Sequence, residues 1–85
     1  MARIIDGETM NMVGKRVHFL RKSKKMSQQQ VSDKLETMAI YICRGSVSRI
    51  EDGLRTVSDI ELYGLSKIFN VPISELYNDE FRIEE

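Results

Sequence analysis

Apolar residues recur along this chain at helical spacing, and long β-branched runs are absent. Val13, Val17 and Leu20 fall at i, i+4 and i+7. They form one stripe of a helix and predict a first helix over 11–23. Arg16, Arg21 and Lys22 fall largely off that stripe. Ser27 followed three residues later by Gln30 reads as a capping box, which opens a second helix carrying Val31 and Leu35. A third helix is expected over 44–51, with Val47 and Ile50 one turn apart. Gly53 then stands where a left-handed residue closes a helix. Residues 54–57 read as a loop. Ser58 and Glu61 form a second capping box for a fourth helix reaching Phe69, with Ile60, Leu65, Ile68 and Phe69 as its expected core. Pro72 suits the first turn of a short fifth helix, 73–77. The stretch 36–43 fits no element cleanly. The pattern therefore predicts an all-α fold, a compact five-helix bundle. An arm over 1–10 precedes the domain at 11–78, and a tail over 79–85 follows it.

Composition narrows the reading. A chain of 85 residues makes one domain with a modest core. A single cysteine, Cys43, excludes an intrachain disulfide and a cysteine-cluster metal site. No metal or cofactor is expected. No stretch of about 18 apolar residues is present, so no membrane span is expected. The first ten residues lack a signal-peptide core, and a cytoplasmic protein is expected. The formal net charge is zero, which by itself argues against a nucleic-acid partner. Its distribution argues the other way. Ten basic and four acidic residues lie up to Arg49, against three basic and nine acidic beyond it. Such a split predicts one basic face and one acidic face.

Four segments, in order, resemble the helix-turn-helix domain of the phage repressor and Cro type, the XRE family. Arg16 to Arg21 resembles that family's first helix, and Met26 to Val31 the opening of its second. Ser46 to Gly53 resembles its third helix and exit, and Ile60 to Leu76 its fourth and fifth helices. Two departures stand out. The spacing from Leu35 to Val47 is longer than usual, so either the turn is extended or helix 2 is. Ser32 occupies a position that is usually alanine.

The resemblance implies a bundle of the lambda repressor-like type. It also implies a sequence-specific transcriptional regulator, expected to be a repressor, which binds double-stranded DNA as a homodimer on a palindromic operator. The third helix would enter the major groove and offer Arg44, Gly45, Ser46, Ser48 and Arg49 to base edges. An arginine there can donate two parallel hydrogen bonds to guanine, although a solvated arginine face is the plainer alternative. Gln28 is implied as a phosphate contact that also braces a helix-3 side chain. Gln29 stands beside it, but exposed glutamines also simply favour helix. Arg55 and Thr56 are implied at the sugar–phosphate backbone, with longer-range attraction from Lys24 and Lys25. Arg21 and Glu51 are implied as an ion pair joining helices 1 and 3.

Other residues have plainer readings. His18, with no metal or catalytic partner in sequence, reads as a helix surface or boundary residue. Cys43 reads as a partly buried thiol at the N-cap of helix 3. Met10, Met12, Met26 and Met38 read as gap fillers. Tyr77, Phe81 and Ile83 are candidates for the dimer surface. Alternatives of other classes remain: an antitoxin or restriction-modification controller type regulator, or a protein-interaction module working through the acidic half. No catalytic constellation is present, so an enzyme is not expected.

Overall fold

The computed structural model describes residues 9–77, and they form four α-helices and one 3₁₀ turn. In chain order these are α1 (Gly14–Ser23), α2 (Gln28–Glu36), α3 (Arg44–Glu51), α4 (Asp59–Phe69) and the 3₁₀ turn Ile73–Leu76. The expected fifth α-helix is thus a single tight turn. Pro72 enters it in extended conformation and Tyr77 leaves it extended, so only four residues take helical form. Helix α1 begins three residues later than the pattern suggests. Asn11 stays outside it and accepts hydrogen bonds from the amides of Val13 (3.0 Å) and Gly14 (2.7 Å).

Both predicted capping boxes are present. Ser27 Oγ accepts from the Gln30 amide (3.0 Å) while Gln30 Oε1 accepts from the Ser27 amide (2.7 Å). Ser58 and Glu61 repeat the arrangement at α4 (3.2 and 3.0 Å). All four helices end alike. The residues with positive φ are Lys25, Ala39, Gly53 and Asn70, with values between 57° and 75°. After each, an amide reaches back five residues: Met26 to Arg21, Ile40 to Leu35, Leu54 to Arg49 and Val71 to Ser66. These bonds satisfy carbonyls that a helix end would otherwise leave unpaired. Glycine serves at only one of the four positions.

That ending resolves the long spacing before α3. Helix α2 stops at Glu36, so the turn is extended and the helix is not. The extra chain is held in place. Ile40 is buried, and Ser32 Oγ donates to the Ile42 carbonyl at 2.7 Å. Ile40 and Leu35 both lie over Gly64 of α4, where an added Cβ would stand 2.6 Å from Ile40 Cδ1 and 2.7 Å from Leu35 Cδ2. The glycine allows α4 to approach α2 and its turn.

The core joins Val13, Val17 and Leu20 to Val31 and Leu35, Ile40, Val47 and Ile50, Leu65 and Phe69, and Leu76. Helix α3 packs against both α1 and α2, and α4 against α2 and the 3₁₀ turn. Ile60 is not part of this core, being 64% exposed. At 3.6 residues per turn it lies roughly 140° around α4 from Leu65, away from the side that Leu65 and Phe69 bury. Met10 is also exposed rather than filling a gap, whereas Met26 and Met38 pack partly against the core. Arg21 lies on the apolar stripe rather than off it. It follows Val17 by four residues and is buried.

Two substitutions test this packing. Gly64→Ala forces a methyl group onto Ile40 and Leu35 and is expected to lower stability by about 1–3 kcal/mol. Ala39→Gly relieves a left-handed alanine and is expected to raise it by up to about 1 kcal/mol. Urea unfolding midpoints of both variants against wild type measure the two effects.

Candidate nucleic-acid interface

Helix α3 shows its chemistry through what it hides. Val47 and Ile50 are buried. The remaining positions follow from helical periodicity: Arg44, Gly45 and Arg49 are exposed, and Ser46 and Ser48 are half-buried. Arg49 Nη2 donates to Ser46 Oγ at 3.3 Å, so that guanidinium is already oriented along the helix surface. Cys43 precedes the helix with an exposed thiol, not a partly buried one, and makes no side-chain cap to its amides. The turn leading in is anchored through Ile40 and Ile42, and the next residue, Cys43, is left to solvent. Ser46, through its hydroxyl 3.5 Å away and its backbone, holds the Cys43 thiol below its ordinary pKa.

Beside α3 lies an open groove of about 730 Å³ at the start of α2. Lys22 of α1, Lys25 of the turn after it and Arg44 of α3 line it, together with Gln28 and Gln29. The Ser27 cap uses the Gln30 amide. The first residues of α2 line this cationic groove at the positive end of a helix dipole, an arrangement suited to a phosphate. Gln29 Nε2 donates to Asp33 on its own helix at 2.9 Å. Gln28 Nε2 turns inward and donates to Glu51 Oε1 at 3.1 Å.

Glu51 gathers three helices. Its carboxylate, 3% exposed, accepts from Arg21 Nε (2.6 Å) and Nη2 (3.0 Å), from Gln28, and from His18 Nδ1 (2.9 Å). Arg21 Nη1 also donates to the Met26 carbonyl at 2.9 Å. The fork-to-fork geometry gives two charge-assisted bonds at once. Burial pushes the Glu51 carboxyl up, but the hydrogen bonds from Arg21, His18 and Gln28 outweigh it and hold the group below its ordinary value. The hydrogen bonds between Arg21 and Glu51 raise the Arg21 guanidinium above its own ordinary value. His18 is more than a surface residue. It stands three positions before Arg21, one turn away on the same side of α1, and that spacing is the signal by which it could have been found. Nothing in the spacing of the chain marked Asn11 or Ser32 for the contacts they make.

Arg55 and Thr56 lie beyond α3. Thr56 is exposed, and Arg55 forks onto Glu61 with two contacts of 3.2 Å. Among the described residues there is no cluster of metal-ligating side chains, and no helix is long and apolar enough to cross a membrane.

A helix-turn-helix family model matches residues 17–76, from the apolar stripe of α1 through the 3₁₀ turn. The chain belongs to the XRE-type helix-turn-helix family. It is a DNA-binding transcription regulator. No curated protein matches it at a significant level. Among solved structures it is similar to the restriction-modification controller protein C.AhdI from Aeromonas hydrophila. The two share 26% identity and a TM-score of 0.68 over 78% of this chain and 92% of that one.

Removing Glu51 leaves Arg21 buried without its counter-charge, so Glu51→Ala is expected to cost about 3–5 kcal/mol in thermal or urea unfolding. Because the folded carboxyl titrates below its unfolded value, the unfolded state takes up more protons in acid. The contribution is complete above the unfolded value of about 4.3 and is lost as pH falls through the folded one. Stability measured against pH should therefore fall below about pH 4.3, less steeply in Glu51→Gln.

Proposed function

We propose that the protein is a sequence-specific repressor that reads a palindromic operator as a homodimer, with α3 in the major groove. One observation carries this reading. Helix α3 buries Val47 and Ile50 and turns Arg44, Gly45 and Arg49 outward, beside the cationic groove at the start of α2. In this role Arg44 and Arg49 read base edges, guanine best of all. Gly45 permits close backbone approach, and Ser46 and Ser48 add shorter contacts. A phosphate at the α2 start meets the backbone of Gln28 and Gln29, while the Gln28 side chain braces Glu51. Thr56 approaches the backbone beyond. Arg55 has the weakest claim of the set, because its guanidinium is already shared with Glu61.

Two copies would place their recognition helices about 34 Å apart on one DNA face. Of the candidate dimer residues, Tyr77 packs partly against the core. Phe81 and Ile83 lie outside the described residues, as do residues 1–8 of the expected arm. A cytoplasmic location goes with a DNA target. The similarity to a restriction-modification controller favours a second reading, in which the regulated genes encode such a system. A restriction or methyltransferase gene beside this one would support it.

Selection of bound duplexes from random DNA tests the main reading. An enriched palindrome is expected, with affinity falling steeply as salt rises. Arg44→Ala and Arg49→Ala should each cost about 1–3 kcal/mol and relax preference at one definite base. Binding that ignores salt and both substitutions would overturn the proposal. Sedimentation of the free protein and of its operator complex reads the number of copies.

A further inference from the structure

We propose that Asn11 is a positioning residue for DNA reading, gripping the exit of the recognition helix so that its early residues meet the bases in one pose. The proposal rests on α3 being the reading helix. Asn11 lies outside every helix, yet it is 7% exposed and fully engaged. Its Oδ1 accepts from the amides of Val13 and Gly14 and so caps α1. Its Nδ2 donates to the carbonyls of Ile50 (3.0 Å) and Arg55 (2.9 Å), which flank the end of α3. The Met10 amide donates to the Gly53 carbonyl between them at 2.8 Å. Thr9 lies over Gly53, where an added Cβ would stand 2.6 Å from Thr9 Oγ1. A Cβ on Gly14 would run into the Ile50 carbonyl oxygen, so α1 meets the exit of α3 at backbone distance.

Three carbonyls around one helix exit thus receive donors from two neighbouring residues. Helix α3 has only eight residues and cannot fix its own tilt. Base-edge hydrogen bonds tolerate displacements of only about 0.5 Å. The Glu51 carboxylate holds the helix from its side, and the Ser32 bond to Ile42 holds the turn that enters it. Asn11 grips the backbone at the exit, where the Glu51 side chain is also held. A primary amide is needed here, because it accepts twice through oxygen and donates twice through nitrogen. Aspartate has the same shape and keeps the cap. It sets a second oxygen against two carbonyls, and the grip is lost.

Asn11→Asp and Asn11→Ser therefore separate capping from gripping, since serine also closes a local turn but is too short to reach α3. The measurement is affinity of the full chain for its selected operator and for an unrelated duplex. It is made at a temperature where circular dichroism shows each variant folded. Operator affinity should fall about ten-fold or more, a loss like that of one mismatched base pair, with binding to the unrelated duplex unchanged. A role in stability alone would leave the ratio of the two affinities at its wild-type value. If folded variants keep that ratio while Arg44→Ala loses it, the Asn11 role is overturned. If Arg44→Ala keeps it too, the assignment of α3 as reader falls with it. Should Asn11→Asp not fold, Asn11→Ser decides. Failure of both to fold at any temperature assigns Asn11 to the fold alone and overturns the proposal.

Discussion

The orientation of α3 depends on one buried carboxylate. Glu51 has left water almost completely, and α3 offers it no counter-charge. Desolvation of such a group costs several kcal/mol unless charge and hydrogen bonds offset it. The offset comes from two other helices: Arg21 and His18 on α1, and Gln28 on α2. Any tilt of α3 that withdrew Glu51 from these donors would expose the full penalty. The interaction therefore fixes the geometry of α3 as well as contributing to stability. Gln28 makes the link to function direct. It lines the phosphate-suited groove and touches the carboxylate that orients α3.

The ends of the helices add a second constraint. Each helix is closed by a residue of positive φ followed by an amide that reaches back five residues, so each chain reversal is tight and self-satisfied. The conformation is unfavourable for Lys25 and Ala39, which carry a Cβ into the left-handed region. It persists because the residue after each is held by packing: Met26 partly against the core, and Ile40 buried over Gly64. Ile40 thus converts a turn longer than the family's usual one into a fixed lead-in to α3. Added length in a loop costs little closure entropy, and one apolar anchor and one hydrogen bond offset the ordering of this one.

Much of this architecture was legible from residue order. Capping boxes and apolar stripes act within a few residues, and local hydrogen bonding and periodicity decide them without help from the rest of the chain. Both boxes and the buried faces of α2 and α3 followed from them, as did the exit at Gly53. The arginines on α3 followed by elimination, once Val47 and Ile50 were given to the core. Ile60 did not, because a short helix has two apolar edges and only its neighbours choose between them. The last turn also differed, since Pro72 admits a helix without requiring one.

The sequence by itself determined where α2, α3 and α4 start, which faces α2 and α3 bury and which residues α3 leaves exposed, because those depend on spacings of three and four. Only the tertiary structure decided what Asn11, Ser32 and Arg55 do, and which carboxylate His18 meets. Apart from the local bonds that Asn11 makes to Val13 and Gly14, these partners stand six to forty-four positions away and become neighbours only when the helices pack. A polar side chain carries no mark in sequence of which distant carbonyl or carboxylate it will meet. That choice belongs to the buried groups, which accept whatever donor the packed fold brings within hydrogen-bond reach.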